Sequence, residues 1–180
     1  MELKSGNIRL RPFRESDASR LAELANNEKI GRNLRDGFPF PYTIDDALSF
    51  IHRFMDHETF FAIEYKGEYV GNISLVKCEN VYRKSAEIGY FIGEPYWNKG
   101  IATRAVKLLT KYGFREMGYA RIQTGVYEYN PASQRVLEKC SFVKEGIFRK
   151  SIFKNNQLWD EVRYAMINPQ LEKSADSKRT

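Results

Sequence analysis

The sequence predicts a mixed α/β fold of seven strands and four helices. Three observations carry that reading. The 180 residues are 42% hydrophobic and 29% charged, the composition of one ordinary globular domain. Strand-like apolar runs are interleaved with stretches of helical period, in the order strand, two helices, three strands, helix, strand, helix, two strands. Turn signals at Lys66-Gly67-Glu68 and Asn155-Asn156 mark hairpins, while two right-handed crossovers flank the strand at 121–127. A sheet built this way carries helices on both faces.

The elements follow in order. Residues 7–13 read as a strand, with Ile8 and Leu10 on one face. Ser16 and Asp17 suit the start of a helix carrying Leu21, Leu24 and Ala25. The two prolines of Gly37-Phe38-Pro39-Phe40-Pro41-Tyr42 stop that pattern. Thr43 followed by Asp46 resembles a capping box, and the helix behind it would bury Ala47, Phe50, Ile51 and Phe54. Residues 60–65, 69–76 and 85–93 are strands. Residues 101–117 are helical, with Ala105, Leu108, Leu109 and Tyr112 inward and Gly118 as the stop. Residues 121–127 form a strand, and 131–139 a short helix begun by Pro131. Residues 142–153 and 158–167 pair as a long hairpin.

Composition excludes several classes. No apolar run of about 18 residues exists to span a membrane. The first residues lack a signal core, and Cys78 and Cys140 are too few for a disulfide framework, so a cytoplasmic protein is expected. With only His52 and His57 beside them the cysteines make a poor zinc set, and no metal is expected. The net charge is +6. Residues 1–97 hold 13 Lys/Arg and 15 Asp/Glu, whereas 98–155 hold 12 and 4. The whole excess therefore lies in one stretch, which points to an anion met there. No DNA- or RNA-reading motif accompanies it, so nucleic acid is not expected as the main partner.

That stretch opens with the most informative segment. A strand ending in Tyr90-Phe91-Ile92-Gly93 runs through Glu94-Pro95-Tyr96-Trp97-Asn98-Lys99-Gly100 into a helix at Ile101-Ala102-Thr103. Helix starts offer unpaired N–H groups and the positive end of the dipole, and phosphate binds there. Gly100 and Ala102 keep bulky side chains away. The segment has neither the Walker spacing nor the three spaced glycines of dinucleotide folds.

Trp97-Asn98-Lys99-Gly100-Ile101-Ala102 resembles the acetyl-CoA loop of the GCN5-related N-acetyltransferase (GNAT) superfamily. Trp97 departs from the usual Arg or Gln, but Tyr-Trp-x-Lys-Gly-x-Ala is similar to the branch of RimJ and RimL, the ribosomal-protein N-terminal acetyltransferases. Arg9-Leu10-Arg11-Pro12 and Asn130-Pro131-Ala132-Ser133-Gln134-Arg135-Val136-Leu137-Glu138-Lys139, followed by Phe142, match that branch in the same order. The resemblance covers roughly residues 7–167. It implies a GNAT acyl-CoA N-acyltransferase fold, with a central, mostly antiparallel seven-stranded sheet and about four helices. The chain shows no repeat and no linker and turns polar beyond Pro169, so one domain over residues 1–168 with a flexible tail over 169–180 is expected.

The resemblance further implies roles. Acetyl-CoA would be the co-substrate, its pantetheine arm beside Tyr90, Phe91 and Ile92 in the manner of an added strand. A backbone N–H near Phe91 or Ile92 would steady the oxyanion. The N–H groups of Asn98, Lys99, Gly100, Ile101, Ala102 and Thr103 would hold the pyrophosphate. Asn130 would bond the pantetheine arm, although the same residue type is also a natural cap before Pro131. Ser133 would contact the thioester sulfur, since the Tyr many relatives carry on this helix is Leu137 here. The base is less marked. The strand position where some relatives have Glu is Gly125, and the Glu near the final hairpin of RimL-like proteins aligns with Ile152. Glu87 is the first candidate base, working through water. Glu128, Asp160 and Glu161 follow. Phe38, Phe40, Tyr42, Tyr82 and Trp159 are candidates for the acceptor groove.

A missing strong base has a consequence. A peptide α-amine has a pKa of about 7.7–8.0 and a lysine amine about 10.4. The first needs little help to become neutral. The sequence thus favours a protein or peptide N-terminal amine, such as that of a ribosomal protein, as acceptor. The alternatives are a polyamine or aminoglycoside acetyltransferase, or an acyl-CoA-binding sensor without turnover. The chain is expected to act as a monomer or homodimer.

Overall fold

In the computed structural model, residues 1–171 are described. They form eight strands, paired in the order β1-β2-β3-β4-β5-β6-β8-β7, with five helices. The mixed α/β class matches the expectation. The eighth strand is β1 (Leu3–Ser5), which folds back on β2 (Ile8–Arg11) through Gly6-Asn7. Three residues between a start and a glycine turn give too short a pattern for sequence periodicity to mark.

The chain divides into two compact units, Met1–Ser74 with Tyr90–Leu108, and Leu75–Gly89 with the residues from Leu109 onward. In the first, β2 pairs antiparallel with β3 (Phe60–Tyr65) and β3 with β4 (Glu68–Lys77). Lys66 and Gly67 take φ of 53° and 88° and close that hairpin. The helices α1 (Ala18–Ala25), α2 (Glu28–Gly31) and α3 (Ile44–Phe54) lie between β2 and β3. The one-turn α2 is an addition to the sequence reading, capped by the Asn27 side chain on the Lys29 N–H.

The capping box of α3 forms as its residues predict. Thr43 Oγ1 accepts from the Asp46 N–H at 3.1 Å, and Asp46 Oδ2 accepts from the Thr43 N–H at 2.8 Å. The Thr43 hydroxyl, which also donates to Asp46 Oδ2 at 2.7 Å, and then the Thr43 N–H hold the Asp46 carboxyl below the usual range. Ala47 and Ile51 are buried, while Phe50 and Phe54 are only half-buried. They pack as rings on Phe13 and Phe60. Asp17 differs from expectation, because its side chain does not cap α1. Instead it accepts from the Arg14 N–H at 2.8 Å and receives both terminal nitrogens of Arg11 at 2.8 Å each. Arg11 Nε donates to Glu64 at 2.7 Å. All three side chains are buried, so one guanidinium ties β2 to the start of α1 and to β3.

In the second unit, the first half of β5 (Ser85–Ile92) pairs parallel with β6 (Arg121–Tyr127). The connection is α4 (Ile101–Arg115), the crossover the sequence pattern required. That helix ends two residues short of the expected 117. Val106 rather than Leu108 is fully buried beside Ala105, Leu109 and Tyr112. The helix α5 (Pro131–Lys139) leads to β7 (Val143–Lys154) and β8 (Gln157–Ile167). These two form the long hairpin, turned by Asn155 and Asn156 at φ 52° and 60°. Strand β8 runs antiparallel to both β6 and β7, pairing Tyr127 with Glu161 and Gly125 with Arg163. Buried Leu75, Ile88, Leu109, Ile122, Leu137 and Tyr164 form this unit's core. Of the expected tail at 169–180, residues 172–180 lie outside the described residues.

Candidate active site

The donor side starts where β5 ends in the first unit. Tyr90 and Phe91 are half-buried and Ile92 is buried. A Cβ on Gly71 of β4 would lie 2.1 Å from the Phe91 carbonyl oxygen, so the two strands approach more closely there than any side chain allows. The Phe91 ring meets Phe38 edge-on at 6.3 Å, and Phe38 packs on Tyr42 at 4.8 Å. Phe40 is exposed beside them.

Behind β5 the chain takes a 3-10 turn at Glu94–Tyr96, and side chains from α1, α2 and β4 fasten it. Tyr96 donates to Glu68 at 2.7 Å and accepts from Arg20 at 2.8 Å. Glu94 accepts from Lys29 and, at 2.7 Å, from Asn27, and these bonds hold its carboxyl below the usual range. The Trp97 indole donates to the Ile92 carbonyl at 2.6 Å and pins the loop back on the strand it left. Tyr96 and Trp97 of the motif thus have structural work, which explains how the loop tolerates Trp97 where Arg or Gln is usual.

Trp97, Asn98, Lys99 and Gly100 are all exposed. Asn98 and Gly100 adopt left-handed φ of 60° and 68°, with Lys99 between them. Alternation of this kind turns successive N–H groups to one side, an anion-binding nest, directly ahead of α4. A Cβ on Gly100 would meet nothing within 4 Å, so φ and open approach, not packing, ask for glycine there. The Arg104 guanidinium donates to the Lys99 carbonyl at 3.0 Å and adds a cation at the helix start. The Lys99 ammonium folds back onto the Pro95 carbonyl at 3.0 Å. Tyr90, Phe91 and Ile92 thus end β5, Asn98 to Gly100 form the loop after it and Ile101 to Thr103 the first turn of α4, with the Trp97–Ile92 bond tying loop to strand.

Asn130 and Ser133 lie in the second unit at the end of β6. Asn130 caps α5, its Oδ1 accepting from the Ser133 N–H at 3.2 Å. The capping role that its residue type suggested is realised, and the amide nitrogen stays outside the cap. Leu137 is fully buried, so this helix presents no phenol where relatives carry Tyr.

The acidic candidates separate clearly. Glu128 Oε1 accepts from the Asp160 N–H at 2.8 Å, and Asp160 Oδ1 accepts from the Lys150 N–H at 2.8 Å. Each carboxylate gives one oxygen to a backbone N–H. Glu87 and Glu161 instead flank Arg163, whose guanidinium lies 3.7 Å from Glu87 and 3.2 Å from Glu161. Next to them Arg121 donates to both oxygens of Glu145, one at 2.8 Å. Arg163 gave no sequence signal, because one arginine on an alternating strand reads as a solvated face. Gly125, mid-strand, was the available clue. The aromatic candidates are divided between the two units. Phe38, Phe40 and Tyr42 belong to the first unit, while in the second Tyr82 is exposed and Trp159 packs on Tyr129. His52 pairs with Glu15 at the surface, and His57 packs on Phe54 and Phe60. Among the described residues no helix is long and apolar enough to cross a membrane.

Comparison with known proteins gives the family. The acetyltransferase (GNAT) domain matches residues 7–143. The chain is 33% identical to the probable N-acetyltransferase YjcK of Bacillus subtilis, covering 93% of this chain and 97% of that one. It is 30% identical to spermidine N(1)-acetyltransferase of Escherichia coli, covering 91% and 88%. The crystal structure of a GNAT-family acetyltransferase from Bacillus anthracis superposes with a TM-score of 0.83 at 28% identity, covering 93% of this chain and 99% of that one. With a donor loop shaped for an anion and a family domain over most of its length, the chain belongs to the GNAT acetyltransferases and is an N-acetyltransferase that takes its acetyl group from acetyl-CoA.

Proposed function

We propose that the acceptor is a peptide or protein N-terminal amine, as in the RimJ and RimL branch. One observation carries this reading. The charges around Arg163 and Arg121 are nearly balanced: Glu87, Glu145 and Glu161 face two guanidiniums, leaving one carboxylate in excess. Such an array suits a single ammonium. A polyamine brings several cations, each of which needs its own carboxylate once it leaves water. A peptide brings one, and the rest of its contact is apolar.

In this reading the pyrophosphate of acetyl-CoA lies on the N–H groups of Asn98 to Thr103, and the pantetheine arm runs beside Tyr90, Phe91 and Ile92. Asn130 bonds that arm through its amide nitrogen. A backbone N–H of Phe91 or Ile92 steadies the oxyanion as the amine attacks. The Ser133 hydroxyl donates to the departing sulfur. Serine is a weak acid, so it stabilises thiolate charge more than it delivers a proton. Ser133→Ala is expected to lower kcat about tenfold, the worth of one hydrogen bond to a charged group, with CoA affinity kept within about twofold. An unchanged kcat removes Ser133 from the sulfur.

Turnover of acetyl-CoA, followed by thiol release, tests the acceptor. The panel holds N-terminally free peptides, N-terminally blocked lysine peptides, spermidine and an aminoglycoside. The free peptides should give the highest kcat/KM. The spermidine enzyme of Escherichia coli supports a second reading, at 30% identity across nearly the whole chain. Higher kcat/KM for spermidine than for any peptide would establish it instead.

A further inference from the structure

The middle of β6 holds a glycine that its backbone does not require. Gly125 is absent from the residues with positive φ, and it sits inside a seven-residue strand, where a missing side chain weakens packing. What occupies its place is mainly a carboxylate, with the edge of its guanidinium partner. A Cβ at residue 125 would fall 1.9 Å from Glu161 Oε1, 2.3 Å from its Cδ and 2.9 Å from Arg163 Nη1. The Glu161 side chain therefore crosses from β8 into the volume that a β6 side chain would fill, two residues before the strand ends at Tyr127 on the way to Asn130 and Ser133.

Its two oxygens are used differently. Oε2 accepts from Arg163 Nη1 at 3.2 Å, which fixes the group's direction. Oε1 points over Gly125, and among the described residues no donor reaches it. The side chain is 17% exposed, against 34% for Glu87, whose link to Arg163 is longer at 3.7 Å. A less hydrated carboxylate attracts a cation more strongly. Glu128 and Asp160, each turned by one oxygen onto a backbone N–H, have no guanidinium holding them over a side-chain-free strand position.

We infer that Glu161 is the catalytic residue on the acceptor side: its Oε1, housed over Gly125, binds the acceptor ammonium and takes its first proton. Arg163 is the positioning residue. This deepens the proposed acetyl transfer and rests on it. The ammonium gives one proton to Glu161, and its freed electron pair forms the C–N bond to the acetyl carbon. The C–S bond then breaks with its electron pair on sulfur. The second amine proton goes to that sulfur as CoA leaves as a thiol, and Glu161 returns its proton to water.

The test uses the full chain as wild type, Glu161→Gln, Glu87→Gln and Gly125→Ala. Thermal unfolding with and without CoA first shows that each folds and binds the donor. Kinetics then use whichever amine the wild type turns over. Glu161→Gln should lower kcat by about 100-fold, within the range for a lost general base, with the KM for acetyl-CoA within about twofold. Gly125→Ala adds only a methyl group against the ends of two flexible side chains, Glu161 and Arg163, so it should fold, yet displace Oε1 and lose kcat in the same direction. With a peptide acceptor the deficit should narrow above about pH 8, where the α-amine is already neutral. A structural defect would be independent of pH. A loss under about threefold in Glu161→Gln, a loss carried by Glu87→Gln instead, or a deficit constant with pH overturns the assignment. Turnover of spermidine but of no peptide would refute the peptide reading alone, since Glu161 is then judged on spermidine. A wild type that acetylates none of the amines removes both.

Discussion

Arg11→Met is expected to destabilise the protein by about 3–5 kcal/mol, as removal of one partner from a buried ion pair does. Arg11 is 3% exposed and gives four hydrogen bonds, two to Asp17, one to Glu64 and one to the Pro12 carbonyl. Without it, Asp17 keeps only the Arg14 N–H among these partners, and its second oxygen stays buried without a donor. Glu64 fares better, because Arg9 Nε lies 3.4 Å from its other oxygen. Lysine should rescue little, since a point charge cannot reproduce the fork that grips both Asp17 oxygens. Replacing Asp17 by Asn together with Arg11→Met should recover part of the loss, because a neutral amide is easier to leave unpaired. Urea denaturation of the three variants checks the order. A cost below about 1 kcal/mol for Arg11→Met would mean that the network is solvated and contributes as a surface pair does.

The second large effect is expected at Gly100. Gly100→Val should weaken CoA binding at least 100-fold. Two causes combine. A β-branched residue is strained at φ +68°, so the nest around Asn98 and Lys99 opens. The side chain also stands over N–H groups that would donate to phosphate, and each such charge-assisted bond is worth about 1.5–3 kcal/mol. Gly100→Ala separates the two. Its Cβ meets open space, so it carries strain with little obstruction, and its loss should be about tenfold. Calorimetric titration with CoA measures both. Equal, small losses for Ala and Val would show that the pyrophosphate is held elsewhere.

Much of the fold was legible because its punctuation is strong. Pro131 and Asn130 set the start of α5, and Asn155-Asn156 the last hairpin, where the structure has them. Thr43 and Asp46 opened α3 as a capping box. What escaped was either too short or too distant in sequence. The three residues of β1 have no period. Asp17 looked like a helix cap from its neighbours alone, yet a buried guanidinium six residues earlier claims it. Leu108 and Val106 differ by half a turn of one helix, and both lie near the edge of its apolar stripe. On the site, the donor loop could be read because its chemistry sits in consecutive residues. The acceptor side could not. It depends on which residues of β6 and β8 stand opposite each other, and a 36-residue separation between Gly125 and Glu161 hides that register. The absent side chain of Gly125 looked like a lost function until the neighbouring strand showed what fills it.

The Trp97 indole, bonded to the Ile92 carbonyl, also gives the protein a built-in optical reporter. The chain holds two tryptophans, Trp97 in the donor loop and Trp159 on β8 against Tyr129. Emission from an indole shifts with the polarity and hydrogen bonding around it, so Trp159→Phe leaves one emitter where CoA would dock, and Trp97→Phe leaves one on the strand that carries Glu161. Each substrate can then be followed by its own unlabelled signal, and the order in which donor and acceptor arrive becomes a question for stopped-flow fluorescence.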